Sequence, residues 1–136
     1  MTIISEDGKK IINVGTYDIW FAMYSTIMMK CDSIRNEIEK AISFMDEKVC
    51  EYIDCLEVAR QFNLIRDELS KYHPEEAVYD MNSLEKKAPW EGKVSPVVTS
   101  CGNLFTSADG EDLIGEVVAT CVYCYYSKKR VEIIDE

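Results

Sequence analysis

The chain has 136 residues, of which 47% are hydrophobic and 29% are charged, and this composition excludes an intrinsically disordered protein. Its length predicts a single domain over residues 1–136. The 25 acidic and 15 basic residues leave a net charge of −10, which argues against nucleic acid as a partner because phosphates require a basic surface.

The apolar runs of the chain are too short to cross a membrane. Residues 19–29 and 117–127 are the longest uncharged apolar runs, with eleven residues each, whereas a spanning helix needs about 20 residues. The first residues lack the basic start and the long apolar stretch of a signal peptide. We therefore expect a cytoplasmic protein without membrane association, in which the six cysteines are thiols.

The chain opens with a predicted β-hairpin. Residues 2–5 and 10–14 are β-branched and apolar, and the four residues between them contain an Asp-Gly pair that is typical of a tight turn. Gly15 ends the second strand, and Thr16 or Asp18 can then cap a helix.

Two long helices are predicted next. Apolar side chains recur every three or four positions over residues 20–45 and again over residues 55–72, so each set shares one helix face. The charged residues 46–48 separate the helices, and Pro74 ends the second one, which we place at residues 47–72. The short connection favours an antiparallel pair, and a coiled-coil dimer through the same apolar stripes is the alternative.

A long irregular segment is expected over residues 81–103, which contain Pro89, Gly92, Pro96 and Gly102. Loops of this length are often functional. Short strands are predicted on either side of it, at residues 77–79 and 104–106.

A third helix is predicted after this segment, with Asp109 as its cap and apolar residues on one face over residues 114–124. Residues 117–126 are also rich in β-branched and aromatic side chains, so a strand is the alternative there. Residues 131–134 read as a final strand. The order of elements predicts an α+β fold, with an N-terminal hairpin, a helix pair and a third helix on a small antiparallel or mixed sheet.

Cysteine pairs are the strongest hint of chemistry in the chain. Cys121 and Cys124 form a C-x-x-C pair, and with Cys50 and Cys55 they could supply four thiolates to zinc or act as redox thiols. Their apolar flanks favour packing, because free cysteine is among the most buried residue types. The single histidine, His73, excludes a multi-histidine metal site and suits a helix terminus.

No pattern predicts a catalytic residue or a cofactor. The glycines match no phosphate-binding motif, and no serine has the context of a hydrolase nucleophile. The adjacent carboxylates at residues 75–76 and 111–112 are typical of solvated turns and helix starts rather than of an acid/base pair.

Negative charge is concentrated in residues 75–116, where nine acidic and three basic residues give a net charge of −6. The same segment contains Trp90. An acidic surface with a large aromatic side chain is typical of protein binding, because charge accelerates encounter and a tryptophan can anchor a complex. The alternative is that Trp90 only packs the loop onto the core.

Five short segments in this region carry a resemblance to a known family. They read AVYDMNSL at residues 77–84, APWEG at 88–92, SP at 95–96, NLFTS at 103–107 and DGEDL at 109–113. Together they resemble the immunity protein 70 family, whose members are bacterial proteins encoded beside polymorphic toxins. The resemblance covers roughly residues 31–132 and is thinnest over the first thirty residues. Glu91 and Ala108 depart from the family's turn patterns.

The resemblance implies a protein that does no chemistry but binds a cognate toxin and blocks its active site or substrate groove. Where the toxin is a nuclease, that groove must be basic, and an acidic inhibitor would compete for it. The predicted contact residues are Asp80, Glu85, Trp90, Glu91, Asp109, Glu111 and Asp112. A thiol- or zinc-dependent enzyme and a dimeric adaptor protein are the alternatives, and the sequence leaves the oligomeric state open.

Overall fold

The computed structural model describes residues 1–135 and has an α+β fold. Its four helices are α1 (Tyr17–Lys30), α2 (Glu39–Glu47), α3 (Tyr52–Leu69) and α4 (Leu113–Ser127). Its four strands are β1 (Thr2–Ser5), β2 (Ile11–Asn13), β3 (Val49–Cys50) and β4 (Val131–Ile134). They form one antiparallel sheet in the order β2-β1-β4-β3. No helix within residues 1–135 is both long enough and apolar enough to cross a bilayer.

The N-terminal hairpin and the final strand are confirmed. Ile3 in β1 is paired with Ile12 on one side and Ile133 on the other, and all three side chains are buried. Because residues paired across neighbouring strands face the same side of a sheet, these isoleucines form part of the sheet's contribution to the core. Gly8 has a φ of 72° in the hairpin turn, a conformation that glycine adopts without a steric penalty.

The prediction of one continuous helix over residues 20–45 is wrong. α1 ends at Lys30, and a 3₁₀ segment, Asp32–Glu37, separates it from α2. Ile34 and Ile38 have φ values of −114° and −125°, outside the α-helical range, so the chain bends there. The apolar stripe still faces the core on both sides of the bend, which leaves little of it for a dimer interface.

The second helix is shorter than predicted, because residues 49–50 pair with β4 instead of starting the helix. Lys48 has a φ of 65° and makes the turn between α2 and β3. α3 ends at Leu69, ahead of Pro74 as expected. It packs against α2, so the predicted helix pair is present, and it packs most extensively against α4.

The two short strands predicted beside the irregular segment are absent from the described sheet. The Val78 backbone N–H instead donates to Thr26 Oγ1 at 2.9 Å, so a side chain of α1 replaces the partner strand. Of residues 104–106, only Thr106 makes a β-bridge, with Asp112. Between residues 77 and 112 the described chain forms turns and one 3₁₀ turn, Cys101–Asn103.

The third predicted helix is confirmed as α4, and the strand alternative for residues 117–126 is wrong. Its cap is Asp112 and not Asp109, because the Asp112 carboxylate accepts a hydrogen bond from the Gly115 N–H at 3.1 Å. His73 caps the 3₁₀ turn Pro74–Glu76 by accepting from the Glu75 N–H through Nδ1 at 3.3 Å. Its place is therefore at the start of the next element and not at the end of α3.

Candidate partner-binding surface

Trp90 lies where the irregular segment folds back over the start of α1. Its ring is half-buried and meets the Tyr79 ring edge-on, with 5.8 Å between the ring centroids and an interplanar angle of 80°. The indole also borders two clefts, of about 200 and 220 Å³. Trp90 therefore packs the loop onto the core, as the alternative interpretation of this residue expected. Part of its ring also lines the clefts.

Two of the predicted acidic contacts are paired with lysines of the same loop. Asp80 Oδ1 accepts from the Asn82 N–H at 2.9 Å, and its Oδ2 lies 3.4 Å from Lys86 Nζ. Glu91 lies 3.5 Å from Lys87 Nζ. Both lysines are exposed, so solvent screens these ion pairs and they contribute little to stability, but they offset part of the loop's negative charge.

The rest of the loop presents a mixed polar and apolar surface. Glu85 is exposed, and a hydrogen bond of 2.6 Å from the Ser83 hydroxyl lowers the pKa of its carboxyl. Leu84 and Val97 are 63% and 78% exposed. Exposed apolar side chains rimmed by charge are typical of protein-binding surfaces.

A second acidic group lies in the turn that precedes α4. The buried Ser107 holds this turn, because its Oγ accepts from the N–H groups of Asp109 and Glu111 at 3.3 and 3.2 Å. Both acidic side chains point outward and form no ion pair within residues 1–135. No ion pair among the described residues therefore offsets Asp109 or Glu111, and both side chains are accessible to a partner.

Asp112 has a different role from its two neighbours. Besides capping α4, its Oδ2 lies 2.5 Å from Arg66 Nη2 of α3. Its Oδ1 is buried. Asp112 therefore joins α3 to α4, and its carboxylate is already engaged by the protein's own groups.

One cleft extends from the tryptophan to the residues that precede the second acidic group. The 220 Å³ cleft is bordered by Trp90 and Ile19 and by residues 104–106, which lead directly into the Ser107 turn. The Ala108 N–H donates to the Asn13 carbonyl at 2.9 Å and fixes the turn against β2. We name the surface formed by Asp80, Glu85, Trp90, Glu91, Asp109 and Glu111 the loop surface.

An aromatic row lies on α1 and is not among the predicted features. The rings of Tyr17, Phe21 and Tyr24 stack in nearly parallel planes, with centroid separations of 5.7 and 6.3 Å. The spacing of four and then three residues is visible in the sequence and could have indicated a shared helix face. It was overlooked because Tyr24 also belongs to the apolar stripe that faces the core.

All six cysteines are buried free thiols. Cys50 and Cys55 come together, with 3.7 Å between their sulfur atoms, and a hydrogen bond between them raises the pKa of Cys50. Burial raises the pKa of Cys101 and of Cys124 to about 11, so both are protonated at neutral pH. Across residues 1–135, no group of three or more Cys, His, Asp or Glu side chains has the arrangement of a metal site.

The fold and the loop surface define a small acidic α+β protein with a long irregular segment that presents a tryptophan and unpaired carboxylates. Residues 5–133 match the family described as Immunity protein 70, and the chain belongs to that family. The match confirms the resemblance seen in residues 31–132 and extends it over most of the N-terminal hairpin and all of α1. No curated protein and no solved structure matches the chain.

Proposed function

We propose that this protein is an immunity protein that binds and neutralises a cognate bacterial toxin without chemistry of its own. The observation that carries the proposal is the family match over residues 5–133. The buried, protonated thiols support a role in packing rather than catalysis. The proposed place of action is the cytoplasm of the cell that makes the toxin.

The loop surface is the proposed contact with the toxin. Trp90 supplies a large, partly immobilised aromatic side chain, which loses little conformational entropy on binding. Asp109 and Glu111 supply carboxylates without an internal ion pair, in the turn that follows residues 104–106, which line the cleft that Trp90 borders. An acidic surface of this kind favours a basic toxin surface and accelerates the encounter.

A nuclease is the toxin class that fits this charge best, because its substrate groove must be basic to hold phosphates. In the proposed complex the loop surface covers that groove or the active site within it, so that nucleic acid cannot enter. A toxin with a neutral active site is the alternative, and it would leave the association rate almost independent of salt.

The test uses the toxin domain encoded beside this protein. We expect the purified protein to abolish the toxin's activity at a one-to-one ratio. Trp90→Ala should raise Kd at least about tenfold, as for a central aromatic anchor. The double variant D109N/E111Q should slow association several-fold at low salt. Glu39→Gln, an exposed acid on α2, is the matched control and should bind as the unchanged protein does.

Two outcomes would contradict different parts of the proposal. If the protein neither binds nor inhibits the toxin, the immunity role is wrong. If it inhibits but all these variants bind like the unchanged protein, the contact lies outside the loop surface. The variants' unfolding midpoints should be measured alongside, because a loss of binding counts only for a folded protein.

A further inference from the structure

The aromatic row on α1 borders a cleft that the proposed function does not use. The cleft has a volume of about 240 Å³ and is lined by Tyr17, Phe21, Tyr24 and Asp46, with Trp20 and Met45 at its base. Tyr17 is 53% exposed. Phe21 and Tyr24 are half-buried, and covering the exposed parts of the three rings would be favourable, so the cleft is a candidate recognition site.

Asp46 gives this cleft a negative end. The Tyr24 hydroxyl donates to Asp46 Oδ1 at 2.8 Å, and burial together with this hydrogen bond raises the pKa of Tyr24 to about 12. Asp46 is exposed and has no cationic partner among residues 1–135. The tyrosine therefore orients the carboxylate and leaves its second oxygen available.

The position of Asp46 in α2 is electrostatically unfavourable without a cation. It lies in the last turn of the helix, where the helix dipole is negative, and that turn contains no basic residue. Lys48 follows the helix and borders the cleft, but its ammonium is paired with Asp135. A positive group bound beside Asp46 would compensate both the carboxylate and the helix terminus.

We propose that this cleft binds an arginine side chain of the partner protein, an inference that rests on the proposed function for the existence of that partner. A guanidinium is planar and weakly hydrated, so it can stack on a tyrosine or phenylalanine ring while its N–H groups donate to Asp46. A lysine ammonium is more strongly hydrated and lacks a flat face, so it fits the parallel rings less well. The chain's net charge of −10 favours a basic partner here as at the loop surface.

The experiment titrates the full-length protein with N-acetyl-arginine amide and follows its aromatic resonances by NMR, without any toxin. We expect saturable shifts of Tyr17, Phe21 and Tyr24, with a Kd on the order of millimolar, as for a single small ligand. N-acetyl-citrulline amide, which has the same shape without the charge, should cause no saturable shift. N-acetyl-lysine amide should bind more weakly than the arginine amide.

Variants separate the two halves of the site. Asp46→Asn should raise Kd about three- to fivefold, because it removes the charge and keeps an acceptor for Tyr24. Phe21→Leu should also weaken binding, since it removes one ring and leaves the carboxylate. Glu47→Gln is the matched control, because Glu47 is an exposed acid beside Asp46 that does not line the cleft. It should leave Kd within about twofold of the original value.

Equal shifts with the citrulline amide, an unchanged Kd in Asp46→Asn, or no saturable shift would each overturn the proposal. Lysine amide that binds as tightly as arginine amide would overturn the choice of guanidinium. None of these outcomes depends on the toxin, so failure of this proposal is distinct from failure of the immunity role.

Discussion

Asp112 is placed where its removal should weaken both the start of α4 and the contact between α4 and α3. Its carboxylate accepts from the Gly115 N–H at 3.1 Å and lies 2.5 Å from Arg66 Nη2. We predict that Asp112→Ala destabilises the protein, whereas the same substitution at Asp109, which caps nothing, changes stability little.

The expected loss has two parts. Removing an N-cap costs about 1 kcal/mol. The ion pair adds less than about 1 kcal/mol, because its side chains are 34% and 42% exposed and solvent screens them. Asp112→Ala should therefore lower the free energy of unfolding by about 1.5 kcal/mol, which corresponds to a melting temperature lower by roughly 5 °C. Asp112→Asn keeps a capping oxygen and should cost only about 0.5 kcal/mol.

Urea unfolding of the two Asp112 variants and of Arg66→Met measures both parts. If Asp112→Ala is as stable as the unchanged protein, the capping argument is refuted. If Asp112→Asn is as damaging as Asp112→Ala, the charge and not the cap carries the effect. Asp112→Asn should also bind the toxin almost normally, because Oδ2 is bound to Arg66 and to the Gly115 N–H, and Oδ1 is buried.

Three further predictions concern stability and thiol reactivity. Gly102→Ala should cost about 1–2 kcal/mol in urea unfolding, because its Cβ would lie 3.0 Å from the Arg66 carbonyl oxygen. The Tyr123 hydroxyl helps to lower the pKa of Asp7 to about 2. The ionised Asp7 therefore stabilises the folded protein above the unfolded pKa, and we expect this stabilisation to be lost as the pH falls from about 4 towards 2. Asp7→Asn should make stability less dependent on pH in that range. The buried thiols should react slowly with a disulfide reagent near pH 8 and fully in denaturant; rapid reaction of the native protein would contradict their burial.

Elements that depend on local sequence were predictable, and elements that depend on distant partners were not. The hairpin follows from an Asp-Gly turn between two apolar runs. β3 has only two residues and exists because β4, some eighty positions later, pairs with it. Residues 77–79 have strand composition but meet Thr26 of α1 instead of a strand. The bend after α1 could not be predicted because the periodicity of apolar residues shows only which side of the chain faces the core. A chain that bends can keep its apolar residues on that side, so the periodicity continues through the bend.

The candidate site, like the fold, was predictable only in part. Its residues lie in one segment and were proposed from the charge and the single tryptophan of that segment. The groups with which these residues pair could not be predicted from the sequence. Asp112 is paired with Arg66, 46 positions away, and this pairing gives a predicted contact a structural role. Asp80 and Glu91 meet lysines of their own loop. Counting charges along the sequence therefore overstates the negative field that the loop surface presents.

The ion pairs within the loop predict that removing lysines changes the association rate in the opposite direction to removing acidic residues. Asp80 and Glu91 are paired with Lys86 and Lys87, so the loop presents far less negative charge than its acids alone would give. The double variant K86Q/K87Q should therefore accelerate association with a basic toxin several-fold at low salt, and the gain should vanish at high salt. Stopped-flow mixing at two salt concentrations measures both. Slower association would mean that these lysines themselves contact the toxin, and the toxin surface opposite them could not then be basic.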